Sequence, residues 1–281
     1  MAWRCKELLA GSSRAHGLNG DPLGGFAKGY GMLARTGRTT ALVALTGCAA
    51  ALAVSGCQVD TGQLKHRTAT YAVSSPVHTL VINDLVGDVH VTGGAGRVSV
   101  TERITYRHEL PATTHAVRAG TLTLTGTCPV HQPCDIEYHV RVPPGTTVRI
   151  NEQVGNIRLA ALTDQVTAHT NAGGMTLGSL SGAVQVSDHA GSISGSDLSS
   201  ATARLTTNVG NIDVSFSAAP ATVAATTSVG SISLLLPRGV AYAVRASASV
   251  GSTHVTVRQA SNSAHSITAR TQTGSVTIRP R

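Results

Sequence analysis

The sequence predicts an all-β protein, a β-solenoid of about seven short coils with an inserted β-hairpin cap near its N-terminal end. Three observations carry that reading. An apolar residue is followed seven positions later by glycine in eight segments: Leu80–Gly87, Val148–Gly155, Val166–Gly173, Val184–Gly191, Ala203–Gly210, Val223–Gly230, Val244–Gly251 and Ile267–Gly274. From Gly155 onward these glycines recur at intervals of 18, 18, 19, 20, 21 and 23 residues, so all variation falls in one connection per repeat. Aromatic residues make up only 3% of a chain that is 41% hydrophobic, so the core has to be built from Val, Ile, Leu and Ala. Stacked coils whose loops swell outward satisfy all three. A sandwich of short strands is the alternative, but it does not require the locked spacing.

Taken in chain order, residues 1–56 read as a targeting region and are set aside from the fold. Arg35 and Arg38 precede a 14-residue apolar run, Ala41–Val54, which is too short to span a bilayer comfortably. Residues 1–31 are glycine-rich with scattered charges, and translation is expected to begin at Met32. The run ends in Val54-Ser55-Gly56-Cys57, which resembles the lipobox of bacterial lipoproteins. Cys57 is therefore the expected lipidation site, and the chain is expected to be exported and held on the outer face of the cell membrane. Leu45-Thr46-Gly47-Cys48 fits the same pattern behind a shorter apolar stretch. Residues 57–78 are polar and read as a lipidated tether.

Residues 79–281 read as one solenoid domain with an inserted cap at 92–147. Its first unit is Leu80–Val91, with Gly87 as corner glycine. Within 92–147 the beat lapses into alternating runs around Val98–Tyr106, Leu122–Leu124 and Ile136–Val142, a distorted coil plus a hairpin placed where a bare sheet edge would invite aggregation. Cys128 and Cys134 flank Pro129-Val130-His131-Gln132-Pro133, a spacing that suits a disulfide stapling a hairpin, worth about 2–3 kcal/mol. Zinc held by Cys128, His131, Cys134 and His139 is the alternative. From Val148 on, each unit is strand, corner, strand. Val184 and Val186 point inward and Gln185 and Ser187 outward, Gly191 turns the chain, and Ile193 resumes the alternation.

Charge excludes one class of partner. The full chain carries +8, but residues 1–56 hold six Lys and Arg and two Asp and Glu. Beyond them stand 16 basic and 12 acidic residues, near +4, with no basic cluster interleaved with aromatics. Nucleic acid is not an expected partner. No catalytic constellation emerges either. Gly191-Ser192-Ile193-Ser194-Gly195 lacks a central serine for a nucleophile elbow, and His108-Glu109 has no second zinc-binding histidine. Glu152, Asp164, Asp188, Asp197 and Asp213 read as falling at different places in their repeats, so stacking does not assemble them. The chain is expected to be no enzyme, and no cofactor or metal is assigned.

Polar rows do stack. Asn171, His189 and Asn208 stand two residues before their corner glycines, and Asn156, Ser192, Asn211 and Ser231 just after theirs. Such side chains commonly satisfy turn backbone; Asn171, His189 and Asn208 are also the candidate binding ladder. The segments His78–Ile82 and Val86–Val91, followed by serial Val-Gly-Asn/Ser-Ile elements, resemble the bacterial putative-adhesin family of β-strand-repeat lipoproteins over residues 70–281. That resemblance implies an extracytoplasmic β-solenoid; the first reading of its role is a non-enzymatic binding or scaffold module on the membrane, with cell-wall glycans or a membrane protein as expected partners. A regulatory accessory protein that binds a membrane partner is the second reading, and a carbohydrate-active enzyme the third.

Overall fold

The computed structural model describes residues 63–281. Met32, Cys48, Cys57 and the remainder of the targeting region lie outside the described residues. The described chain contains twenty-one strands and no helix. They begin with β1 (Lys65–Ala72), β2 (Thr79–Val86), β3 (Val89–Thr92), β4 (Ser99–Tyr106), β5 (Ala112–Arg118), β6 (Thr121–Thr127) and β7 (Cys134–Arg141). Next come β8 (Thr147–Val154), β9 (Ile157–Ala160), β10 (Val166–Ala172), β11 (Met175–Gly178), β12 (Val184–Ala190), β13 (Ile193–Leu198) and β14 (Thr202–Val209). The series closes with β15 (Ile212–Phe216), β16 (Thr222–Val229), β17 (Ile232–Leu236), β18 (Ala243–Val250), β19 (Thr253–Val255), β20 (Ser266–Thr273) and β21 (Val276–Pro280).

The alternation dictates what each strand buries. In β10, Val166, Ala168 and Thr170 are buried while Thr167, His169 and Asn171 face out, and after Gly173 the residues Met175 and Leu177 are buried again. The two strands of a unit enter different sheets, so every coil contributes one strand to a ten-stranded sheet and one to an eleven-stranded sheet. The ten-stranded order is β18-β20-β16-β14-β12-β10-β8-β2-β6-β5, and the eleven-stranded order is β1-β4-β7-β3-β9-β11-β13-β15-β17-β21-β19. The core lies between them as columns of equivalent side chains. Leu80, Val148, Val166, Val184, Ala203, Val223 and Ile267 are successive partners in one column, each at most 2% exposed. Ile157, Met175, Ile193, Ile212, Ile232 and Val276 form its counterpart in the other sheet. The fold is an all-β solenoid whose layers are small aliphatic side chains, which is why so few aromatics suffice.

Three details depart from the sequence reading. The stack has nine coils rather than about seven, because β2 with β3 and β6 with β7 add two to those that begin at Gly155. The coil of β20 and β21, last in the chain, sits between those of β16/β17 and β18/β19. The chain skips a place after Leu236 and returns to fill it. Part of the segment read as tether is a strand: β1 pairs antiparallel with β4 in the alternating run Thr68–Tyr71.

Antiparallel pairing is confined to β1, β4 and β5, at the end where β6 and β7 form the outermost coil. There Tyr71 stacks on His115 at 4.4 Å between ring centroids, joining β1 to β5 across the two sheets. Glu102 is buried beneath and accepts from Tyr71 Oη at 2.6 Å and Thr113 Oγ1 at 3.1 Å. Cys128 and Cys134 are disulfide-bonded across the β6–β7 connection, with Cα atoms 5.8 Å apart. Both thiols are consumed there, so the alternative zinc set of Cys128, His131, Cys134 and His139 does not form.

Candidate functional site on the corner flank

The corner glycines are in contact along one edge. At Gly173 φ is +147°, and a Cβ built there would collide with the carbonyl oxygen of Gly155 in the adjoining coil. Gly155 stands in the same relation to Gly87, Gly191 to Gly173, Gly210 to Gly191, Gly230 to Gly210, Gly274 to Gly230 and Gly251 to Gly274. Coils are close-packed at this edge because no side chain intervenes. The carbonyls so exposed need donors, and at three of them a threonine three residues before a corner glycine supplies one from inside. Thr207 Oγ1 donates to Gly191 O at 2.9 Å, Thr227 to Gly210 O at 3.0 Å and Thr271 to Gly230 O at 2.9 Å.

Three carboxyl groups occupy this same inward row. Asp84 pairs with Glu152, Glu152 with Thr170, Thr170 with Asp188 and Asp188 with Thr207. This corrects the sequence reading, in which Glu152 and Asp188 fall at different places in their repeats. Both stand three before a corner glycine, as does Asp84, and strand parity turns all three inward. Asp84 is 3% exposed, Glu152 1% and Asp188 4%. Asp84 Oδ1 accepts from the Leu85 amide at 2.8 Å, but Asp84 Oδ2, both oxygens of Glu152, Asp188 Oδ2 and the buried Tyr138 hydroxyl lack partners. Burial pushes the Asp84 carboxyl up to about 7, against the Leu85 and Val86 amides, with Asp135 and Glu102 adding to the rise. Burial also takes Glu152 up to about 9, with Asp84 adding to it and the Val154 amide opposing it without reaching hydrogen-bond geometry. Asp188 is raised as well, again by burial first. Burial thus favours the neutral acid at all three positions.

Above Asp84 and Glu152 opens a cleft of about 320 Å³. Its polar walls are Asn83, Asn151, Gln153, His169 and Asn171, with Thr125 and Thr127 on the far side. Gly126 leaves room for the Asp84 carboxyl, because a Cβ there would press on Oδ1. Asn151 Nδ2 donates to Asn83 Oδ1 at 3.0 Å, and His169 links Ser187 at 3.0 Å to Asn171 at 3.1 Å. The candidate ladder is thus split. Asn171 belongs to the cleft, whereas His189 and Asn208 form a separate exposed pair at 2.9 Å. Beside this row, directly before the glycines, Val154, Val209, Val229 and Val250 are 50%, 54%, 50% and 65% exposed.

The row just after the glycines serves the backbone. Asn156 Oδ1 accepts from the Gly174 amide at 3.0 Å, Ser192 Oγ from the Asn211 amide at 3.0 Å, and Asn211 Oδ1 from the Ser231 amide at 2.8 Å. Asp88 begins the series by accepting from the Asn156 amide at 2.9 Å. These side chains stitch adjoining coils together and are not free for a ligand.

The profile of the Toastrack DUF4097 family matches residues 77–279, nearly the whole solenoid. The chain belongs to this family. No curated protein matches it at a significant level. Among solved structures, this Toastrack chain is similar to a putative adhesin from Bacteroides fragilis, with 18% identity over 77% of this chain and 97% of that one, at a TM-score of 0.50. It is also similar to a putative lipid binding protein from Parabacteroides distasonis, with 12% identity over 79% and 98% of the two chains and a TM-score of 0.43. A putative cell adhesion protein from Clostridium sporogenes shows 12% identity over 77% and 100%, with a TM-score of 0.37. At these identities the Bacteroides likeness establishes the fold alone, and the other two carry no argument. No helix among the described residues of this Toastrack protein is long and apolar enough to cross a membrane.

Proposed function

We propose that the corner flank of this protein is a non-enzymatic recognition surface, displayed outside the cell on a lipid anchor at Cys57, and that its cleft takes polyhydroxylated ligands of the cell wall. The observation that carries this reading is the lining of the cleft. Asn83, Asn151, Gln153, His169 and Asn171 present amide and imidazole groups that both donate and accept, which suits sugar hydroxyls. Asp84 and Glu152 form a floor turned inward, at 3% and 1% exposed, which leaves ligand contact to the amides and imidazole of the walls. The similar structure from Bacteroides fragilis is called a putative adhesin, which is consistent with this reading.

A simultaneous Asn83→Ala, Asn151→Ala and Asn171→Ala change is expected to weaken retention of the full chain on purified wall polysaccharide by about tenfold or more, since each lost hydrogen bond is worth about 1 kcal/mol. The melting temperature should change little, because Asn151 and Asn171 are exposed and Asn83 is only partly buried. Equal retention of wild type and variant would exclude the cleft. Cys57→Ala is expected to move the protein from the membrane fraction to the soluble fraction, and continued membrane retention would exclude the anchor.

The exposed valine row favours a second reading, contact with a membrane protein partner. Crosslinking in intact cells from a position beside Val209 distinguishes the two. A single stoichiometric protein adduct supports a regulatory role, and polysaccharide adducts support wall binding.

A further inference from the structure

The outer face of the eleven-stranded sheet brings together three side chains that neither the cleft nor the corner rows use. His90 in β3 is the direct partner of His139 in β7, and Glu137 lies two residues before His139, hence on the same face. The imidazole rings stack at 4.5 Å between centroids. Both Nε2 atoms converge on one carboxylate oxygen: His139 Nε2 is 2.7 Å and His90 Nε2 3.7 Å from Glu137 Oε1. All three side chains are only partly exposed, at 24% for His90, 26% for Glu137 and 33% for His139. The donor atoms lie within 4.8 Å of one another.

The hydrogen bonding of this trio cannot be completed by protons alone. Arg103 Nη1 lies 3.0 Å from His139 Nε2, and Arg158 Nη1 lies 3.2 Å from His90 Nε2. A guanidinium only donates, so each contact asks Nε2 to present a lone pair. Glu137 Oε1 only accepts, and asks His139 Nε2 for a proton. Whichever tautomer His139 adopts, one close neighbour of Nε2 is left facing the wrong partner. A cation placed between Nε2 and Oε1 resolves the conflict, because it accepts electron density from both.

We infer that His90 Nε2, His139 Nε2 and Glu137 Oε1 form a binding site for a divalent late transition-metal ion, of which zinc is the first to test. Two imidazoles and one carboxylate are the donor set that zinc takes when it keeps a fourth position open, and they discriminate against calcium and magnesium, which take oxygen. Copper and nickel would compete for the same atoms. The surroundings already hold the ligands in place. Arg103 reaches Glu137 Oε2 at 3.4 Å and leaves Oε1 to the site, while the Arg158 Nη1 that lies against His90 also has Asp88 Oδ2 at 3.6 Å, an acceptor it keeps when a metal takes the His90 lone pair. Ligands on paired strands are also better fixed than ligands on loops.

The test is zinc titration of the full, untagged chain by calorimetry, with far-UV circular dichroism as a check on folding. His90→Ala and His139→Ala are each expected to weaken zinc by about 10- to 100-fold, and Glu137→Gln by about tenfold. Arg158→Gln should do the opposite, tightening zinc by about three- to tenfold, since it removes a positive charge that lies against His90 Nε2 and leaves all three ligands in place. A folding defect cannot produce that gain. Calcium and magnesium should give no saturable heat that depends on His139. The inference is overturned if the His90→Ala/His139→Ala double variant titrates like wild type, or if Arg158→Gln leaves affinity unchanged or lower.

Discussion

Gly173→Ala is expected to cost on the order of 4 kcal/mol or more and to lower the melting temperature by about 10 °C or more, while Gly96→Ala should stay within about 0.5 kcal/mol of wild type. Both changes add one methyl group to one glycine. At Gly173 the backbone sits at φ +147°, where a side chain is strained, and the methyl would also overlap the carbonyl oxygen of Gly155. That oxygen belongs to backbone held in both sheets, so it cannot yield as a flexible side chain would. The coils would have to separate at the corner, loosening the columns built on Val166, Ala168, Met175 and Leu177. At Gly96 nothing lies within 4 Å of the added atom. Thermal melts of the two variants against wild type read the difference directly. A Gly173→Ala protein that melts with wild type would mean that the corner edge does not set the spacing of the stack.

The legibility of this fold in the sequence follows from the same contact. A glycine that abuts its equivalent one coil away cannot drift relative to the strand before it, so the seven-residue beat from Val166 to Gly173 repeats without error, while the connection on the other side is free to lengthen. Inward and outward positions were equally readable, since parity from Val148 and Ile150 fixes them. The same parity marks Glu152 as inward, a signal that grouping the acids by their distance from the glycine would have exposed. The order of the coils is another matter. Val244 and Ile267 head units of nearly identical pattern, and either could stack on Val223, so nothing local says that the later one does. The meeting of His90 with His139 was hidden for a related reason. It depends on β7 returning in parallel register beside β3, His139 lying 49 positions after His90, and Cys128 and Cys134 offered a nearer and more familiar partner set for His139.

Stability should fall as pH rises, against the usual behaviour of a protein rich in paired carboxylates. Asp84 moves from an ordinary 3.8 up to about 7 and Glu152 from 4.5 up to about 9 on folding. Between those values the folded chain keeps protons that the unfolded chain has released, so each unit of pH taken upward favours unfolding. The loss begins near pH 4, steepens while both groups differ between the two states, and levels off above about pH 9. For Glu152 alone it is on the order of 6 kcal/mol, because an ionised carboxylate with no hydrogen-bond partner has to remain in the core or draw water into it. His90, held below the usual histidine range, opposes the trend below about pH 6.5, but it is one partly exposed group. Denaturant midpoints measured from pH 4.5 to pH 9 on wild type and Glu152→Gln separate this cause from a general charge effect. The amide has the same shape and cannot ionise, so its curve should be markedly flatter even if its stability at pH 5 is lower. Parallel curves would show that Glu152 titrates alike in both states and that its burial does not set the pH dependence.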